Sequence, residues 1–389
     1  MDDASFFNYK NTIAESRGER NQFASIWWRW FAGDPRWVPP EYALFRRALE
    51  PGASPYLDRM ALRGIYASAM PRLARMEPFA ASYGLRSGVI GGLNTDRSVS
   101  ATLTLGDTRR PDTAYLAWPH CVNDLASLER LLDLVSEDLA GRGFRRIIGP
   151  TGLSPHLGSG CLLDGWDRLP PLYTPYAPPY LPEMLDGLLE PLENGRLFEL
   201  EIQSGQAAEP ERSPCMLVAG LDILPLEPSR LAGDLLRLFA PCCASWQSFA
   251  PPEADEAAFL LSWTGRWPSQ AWLAQVRGQP VGFVLVQPDL ASHLKRARGG
   301  RSLFWRTWLT RTARLHVRQG RLLFGGVLPA WRGRGIGSVL LQQAEQAAAK
   351  QGWERLISGP FAVGSSAAVF LERRGGQARQ HYRLYQAEI

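Results

Sequence analysis

The run Arg332-Gly333-Arg334-Gly335-Ile336-Gly337, followed by Ser338, has the residue types and spacing to hold a phosphate or pyrophosphate. A helix N-terminus carries unpaired backbone N–H groups and a partial positive charge, and glycines let an anion reach those amides without side-chain obstruction. Arg332 and Arg334 add cationic donors, and the Ser338 hydroxyl falls in the first helical turn. Three phosphate-binding designs compete. A nucleoside-triphosphate loop ends Gly-Lys-Ser/Thr so that lysine reaches the outer phosphates, and no lysine stands beside Gly337-Ser338. A dinucleotide loop runs Gly-x-Gly-x-x-Gly directly after its strand; here the spacing is Gly-x-Gly-x-Gly, with Pro329-Ala330-Trp331 intervening. Arg-x-x-Gly-x-Gly remains, and a turn that only capped a helix would not call for three glycines and two arginines.

Residues 288–321 hold a second concentration of charge. Lys295, Arg296, Arg298, Arg301, Arg306, Arg311, Arg314, Arg318 and Arg321 stand against the single acid Asp289, with Phe304, Trp305, Trp308 and Leu309 interleaved. Either the aromatics pack this segment on the body and leave its cations solvated, or it meets an anionic ligand or surface. Trp27, Trp28, Trp30, Phe31 and Trp37 pose a similar choice between a ligand platform and a core or domain interface.

These residues need elements to position them. A chain of 389 residues exceeds what one core usually organises, and the polar, proline-bearing stretch 204–217 separates two halves, 1–203 and 218–389. In the first half, 114–120 reads as a strand, 124–140 as a helix with leucines near helical spacing, and 145–149 as a buried strand. In the second, helices are expected at 229–239 and 255–263. A hairpin of 271–276 and 281–287 turns on Gly278-Gln279-Pro280, then strand 322–327, helix 336–351 and strand 354–358 follow. No residue-level repeat is visible between the halves.

Bulk composition excludes several classes. With 45% hydrophobic and 21% charged residues the chain reads as globular, and a net charge of +5 falls short of a dedicated nucleic-acid binder. Five cysteines, including Cys242-Cys243, form no CxxC pair, so no metal is expected. The acidic start Met1-Asp2-Asp3 and the lack of a long apolar run predict a cytoplasmic protein with no membrane span.

The motif after a strand ending Val327-Leu328-Pro329 resembles that of the GNAT acyltransferase family. The resemblance extends through Pro35–Pro40, Arg46–Leu49, Gly149-Pro150, Leu162–Asp167, Ala177–Tyr180, Gln287–Leu290 and Tyr382–Tyr385, which are similar to a bacterial family of tandem GNAT-like proteins. It implies an α/β fold of two GNAT-like domains, each a mixed, mostly antiparallel sheet flanked by helices. It also implies acetyl-CoA or another acyl-CoA as co-substrate and transfer of the acyl group to an amine. The strand before the turn would splay from its neighbour, and Gly325-Gly326 suit a bulge or a close backbone approach of this kind. The amides of the 332–338 turn would hold the pyrophosphate, and the Val327 or Leu328 N–H would meet the thioester carbonyl. The tyrosine that protonates the departing thiolate in such enzymes is replaced by Leu371, leaving Tyr382 and Tyr385 as candidate acids. Asp289 and His316 are upstream, Glu372 reads as a surface residue, and no base is assigned. In the first half Cys121-Val122-Asn123-Asp124 stands where the glycine turn should be, which implies a degenerate domain with one coenzyme site per chain. A regulatory acyl-CoA binder and an aminoacyl-tRNA-dependent transferase are the alternatives.

Overall fold

Strands of the first half are β1 (Phe7–Ile13), β2 (Arg63–Pro71), β3 (Arg97–Asp107), β4 (Arg110–Cys121), β5 (Arg146–Thr151), β6 (Cys161–Leu162) and β7 (Glu190–Glu201) in the computed structural model. Its helices are α1 (Arg17–Trp30), α2 (Tyr42–Ala48), α3 (Leu125–Gly141) and α4 (Tyr180–Leu188). The second half holds β8 (Leu221–Pro225), β9 (Gln270–Val276), β10 (Gln279–Pro288), β11 (Gln319–Val327), β12 (Arg355–Ala362) and β13 (Gln377–Glu388). Around them lie α5 (Leu231–Cys242), α6 (Ala254–Thr264), α7 (Ala291–Arg296), α8 (Leu303–Thr312), α9 (Ile336–Lys350) and α10 (Ser366–Arg373). The structure describes residues 7–13, 17–31, 33–50, 63–71, 97–107, 109–152, 154–202, 218–226, 231–242, 246, 248–265, 267, 269–312 and 317–389. The stretch 204–217, read as a linker, lies outside them.

Local chemistry accounts for the elements that flank the site. On α3, Leu128, Leu131, Leu132, Val135 and Leu139 form one buried stripe, the spacing of a helix packed on a sheet. On α9 the buried stripe is Ile336, Leu340, Leu341, Ala344, Ala347 and Ala348, whose small members let the helix lie close to β10 and β11. The β9–β10 hairpin turns one step earlier than expected, on Arg277-Gly278, both with positive φ, and Gln279 already pairs with Val276. A two-residue loop with positive φ at both positions matches the twist of the flanking strands.

The pairing is antiparallel except for β4–β5 and β11–β12. The strand order is β1-β2-β3-β4-β5-β13-β7-β12-β11-β10-β9-β8, so a single sheet crosses both halves. Its centre is an exchange: β13 pairs with β5 of the first half, while β7 of the first half pairs with β12 of the second. Cores follow the exchange. Tyr382, Leu384 and Tyr385 are buried with the first half's residues, whereas Phe198 and Leu200 are buried with the second half's.

A residue-level echo, not anticipated, also relates the halves. Arg146-Ile147-Ile148-Gly149-Pro150 in β5 and Arg355-Leu356-Ile357-Ser358-Gly359-Pro360 in β12 hold equivalent places, and both Gly–Pro bonds are cis. One inserted serine conceals the match in a linear reading.

Candidate active site

In the second half, β11 and β12 pair only from Gln319–Leu322 to Arg355–Ser358. Beyond that, β11 stays with β10 as far as Val327, and β12 stays with β7 through Phe361 and Ala362. The two strands therefore part after Leu322 and Ser358, leaving a gap that opens toward the turn. In the first half β4 and β5 remain paired to Ala117 and Thr151, so the corresponding gap is shorter.

Gly325-Gly326 serve a close approach rather than a bulge. The register shift falls at Leu285/Val286, opposite Leu323, while a Cβ on Gly326 would stand 2.8 Å from Cys242 Cβ. The C-terminus of α5 thus rests directly on the strand. The Leu328 N–H donates to Val281 O at 2.8 Å. Antiparallel residues alternate the direction of their amides, so Val327 turns its N–H away from β10 and toward the gap.

At the mouth of the gap the turn enters α9. Gly333 and Gly335 have φ of 74° and 82°, and Gly335 is the N-cap with no side-chain capping bond. Left-handed backbone disfavours most other residues, which explains these two glycines. The first intrahelical bond is Ser338 N–H to Gly335 O at 3.0 Å. Among the described residues no acceptor meets the N–H of Gly333, Arg334, Gly335, Ile336 or Gly337, which is the unpaired set that binds an anion. Ile336 is buried and anchors the turn; Ser338 is half-buried. Gly337 faces Phe370 of α10, 3.5 Å from where its Cβ would be.

The two arginines have partners already. Arg332 Nε donates to Val327 O at 3.0 Å, tying the turn to the strand end, and the Arg334 guanidinium lies 4.8 Å from the centre of the Trp331 ring. Both remain exposed, within reach of a diffusible anion.

Candidates for proton transfer are less convergent. Tyr382 and Tyr385 are fully buried. Tyr382 donates to Gln380 Oε1 at 3.1 Å, burial raises its pKa, and Arg321 opposes that shift. Arg321 in turn donates to Gly359 O where β12 parts from β11, so Tyr382 lies within electrostatic reach of a cation at the point of parting. Tyr385 pairs with Gly149 and faces Asp186 and Arg383, away from it. Asp289 is buried, accepting from the Leu172 and Ala291 N–H groups at 2.9 Å and from Gln319 Nε2 at 2.7 Å. It ties a loop of the first half to the start of the 288–321 segment. Leu371 is buried against α9, Glu372 pairs with Arg196 at 2.9 Å, and His316 and Arg314 lie outside the described residues. Arg321 is not one of the solvated cations expected of the 288–321 segment: it is buried, and burial lowers its pKa to about 10. Its place in an otherwise apolar strand was the available signal.

In the first half the equivalent turn is closed by its own side chain. Asp124 is the N-cap of α3 and accepts from Ser127 N at 2.9 Å and Ser127 Oγ at 2.5 Å. A carboxylate thus occupies the helix N-terminus that an anion would need. Of the clustered aromatics, Trp27, Trp28 and Trp37 line a cavity of about 120 Å³ together with Trp118, and α6 and its C-terminal loop supply Trp263 and Trp267 from the other half. Trp30 and Phe31 pack into the core behind it. The cluster is therefore an interface between halves that retains a cavity.

His120 lines the same cavity, 4.9 Å from the Phe31 ring, and burial lowers its pKa to about 3. Unfolded histidine titrates near 6.5, so below that pH only the unfolded chain gains the proton. This contribution to stability is present above pH 6.5 and declines by about 1.4 kcal/mol per pH unit as pH falls toward 3. Urea midpoints measured between pH 7 and 5 should fall in the wild type, and a folded His120→Phe variant should show a shallower slope.

Residues 234–375 match the model of the Acetyltransferase (GNAT) family. The chain is also similar in fold to a tandem GNAT protein from the clavulanic acid biosynthesis pathway, at 13% identity and TM-score 0.56, covering 98% of each chain. It is similar to a GCN5-related N-acetyltransferase from Sphaerobacter thermophilus at 12% identity and TM-score 0.51, covering 98% of this chain and 95% of that one. A glucosamine N-acetyltransferase region in a fungal multi-domain β-N-acetylglucosaminidase aligns at 12% identity and TM-score 0.59 over 100% of this chain and 39% of that one. No curated protein matches the sequence.

Proposed function

We propose that this chain, whose residues 234–375 match the GNAT family model and whose fold is similar to that of a tandem GNAT protein, is an acyl-CoA-dependent N-acyltransferase. The donor is acetyl-CoA or a related thioester and the acceptor an amine. The observation that carries this reading is the set of unpaired amides at 333–337 beside the opening between β11 and β12. These amides, with Arg332, Arg334 and Ser338, would hold the pyrophosphate. The N–H of Val327 would polarise the thioester carbonyl, as preorganised backbone donors do for developing oxyanions; the Leu328 N–H is committed to the sheet. The thioester supplies an activated acyl group, and the protein must then deliver a proton to the departing thiolate.

Tyr382 is the acid we assign, ahead of Tyr385, because it lies within electrostatic reach of Arg321, which donates to Gly359 O where the strands part. Its burial equally fits a regulatory protein that binds acyl-CoA without turnover, and one experiment separates the readings. Release of free thiol from acetyl-CoA is followed in single turnover with a panel of primary amines, for the wild type and for Tyr382→Phe. Thiol release by the wild type and a loss of roughly 10²–10⁴-fold in the variant, at unchanged acetyl-CoA affinity, support the enzyme and its acid. Binding without release for every amine supports the regulatory reading, and an active Tyr382→Phe protein removes the tyrosine from the mechanism.

A further inference from the structure

We propose that helix α8 and the basic turns preceding it form a docking surface for an anionic lipid bilayer, an assignment independent of the acyltransferase reading. The helix, Leu303–Thr312, buries Leu309 with Leu290, Leu294 and Ala297 and leaves Trp305 and Trp308 half-buried at its edges. At 100° per residue the opposite face carries Leu303, Phe304, Arg306, Thr307, Thr310 and Arg311. Leu303 and Phe304 are 75% and 69% exposed, the most exposed of the large hydrophobics among the described residues. Thr307 and Thr310 donate their hydroxyls to the carbonyls of Leu303 and Arg306 at 3.0 and 2.9 Å. This outward face can therefore leave water without orphaning those donors.

The same segment is rich in cations, two of which, Arg296 and Arg301, lie over the Trp308 and Tyr42 rings at 5.4 Å. Arg296, Arg298, Arg301, Arg306 and Arg311 are exposed and Lys295 is half-buried; among the described residues no carboxylate pairs with them, and residues 290–321 contain no acid. Arg321 is buried and so does not belong to the surface, whereas Arg318 is exposed but has Glu354 beside it at 3.6 Å. The segment is held to the first half by Trp28 Nε1, which donates to Arg298 O at 2.9 Å, and by Gly299, where a Cβ would meet Pro40 O at 2.4 Å. Exposed Leu and Phe flanked by interfacial Trp and Arg match the apolar boundary and the negative charge of an anionic leaflet. RNA would not require the apolar pair, and a second copy would bring like charge against like. No helix among the described residues is long and apolar enough to cross a membrane, so the contact is peripheral.

Co-sedimentation with vesicles of phosphatidylcholine alone, and of phosphatidylcholine mixed equally with phosphatidylglycerol, tests this surface. The wild type should sediment with the mixed vesicles only, less so as salt rises. A Leu303→Ser/Phe304→Ser variant keeps the net charge and should lose roughly tenfold in partitioning; Arg306→Ala/Arg311→Ala should lose roughly tenfold at low salt. Acetyl-CoA affinity and thermal midpoints serve as controls for folding. Equal sedimentation of the wild type and the serine variant would overturn the proposal, since charge alone would then account for binding. So would retention on single-stranded RNA in place of vesicles, or a dimer that the serine substitutions dissolve without any vesicle binding.

Discussion

Gly335→Asp is expected to lower acetyl-CoA affinity by on the order of a hundredfold or more while the protein stays folded. The first half already displays the consequence of an acid at this place: Asp124, the N-cap of α3, directs its carboxylate onto Ser127 N. Gly335 is likewise the N-cap, of α9, although its φ is 82° against -154° at Asp124, and an aspartate there would set a negative charge beside the unpaired amides and repel a pyrophosphate. Left-handed φ costs an L-residue roughly 1–2 kcal/mol, and aspartate tolerates it better than most, so the fold should survive. Arg332→Ala should weaken binding less, by about 1–3 kcal/mol, because the amides remain while one charge-assisted contact is lost. Since Arg332 also holds Val327 O, part of that loss would come from a loosened strand end. Calorimetry reads both variants and should give one site per chain. Unchanged affinity in folded Gly335→Asp would refute the turn as the coenzyme site, and two sites would refute the closure of the first half by Asp124.

Expressed apart, residues 1–203 and 218–389 should each fail to unfold as a cooperative domain, and refolding them together should restore the intact transition. Separation removes β13, 12 residues long, from beside β5, and removes β7, also 12 residues, from beside β12. The first half would lose Tyr382, Leu384 and Tyr385 from its core and the second would lose Phe198 and Leu200. At about 1.5–3 kcal/mol per large apolar side chain, each loss approaches the roughly 5–15 kcal/mol by which whole domains are stable. Each fragment would also expose unpaired strand edges, a route to aggregation. Urea unfolding followed by circular dichroism decides the matter: two independent, cooperative transitions from the isolated halves would show that the exchange is dispensable. We place the boundary between the halves at 204–217 on composition, and the same experiment tests that placement.

Features with a local physical cause were legible from the sequence alone. Gly333 and Gly335 are needed where φ is positive, Asp124 caps the helix that follows it, and the leucine spacing of α3 marks its buried face. Each depends on a residue and its near neighbours, so each can be read without knowing what lies across the fold. The partners of β5 and β12, the burial of Arg321, the choice between the Val327 and Leu328 amides, and the cavity that unites Trp27 with Trp263 were decided only by tertiary structure. Strand pairing is set by contacts between residues far apart in the chain, and β13 has the same alternating pattern whichever neighbour it takes. The apolar neighbours of Arg321 hint that it is buried, but its partner, the Gly359 carbonyl, lies on the adjacent strand, and nothing near position 321 encodes that meeting.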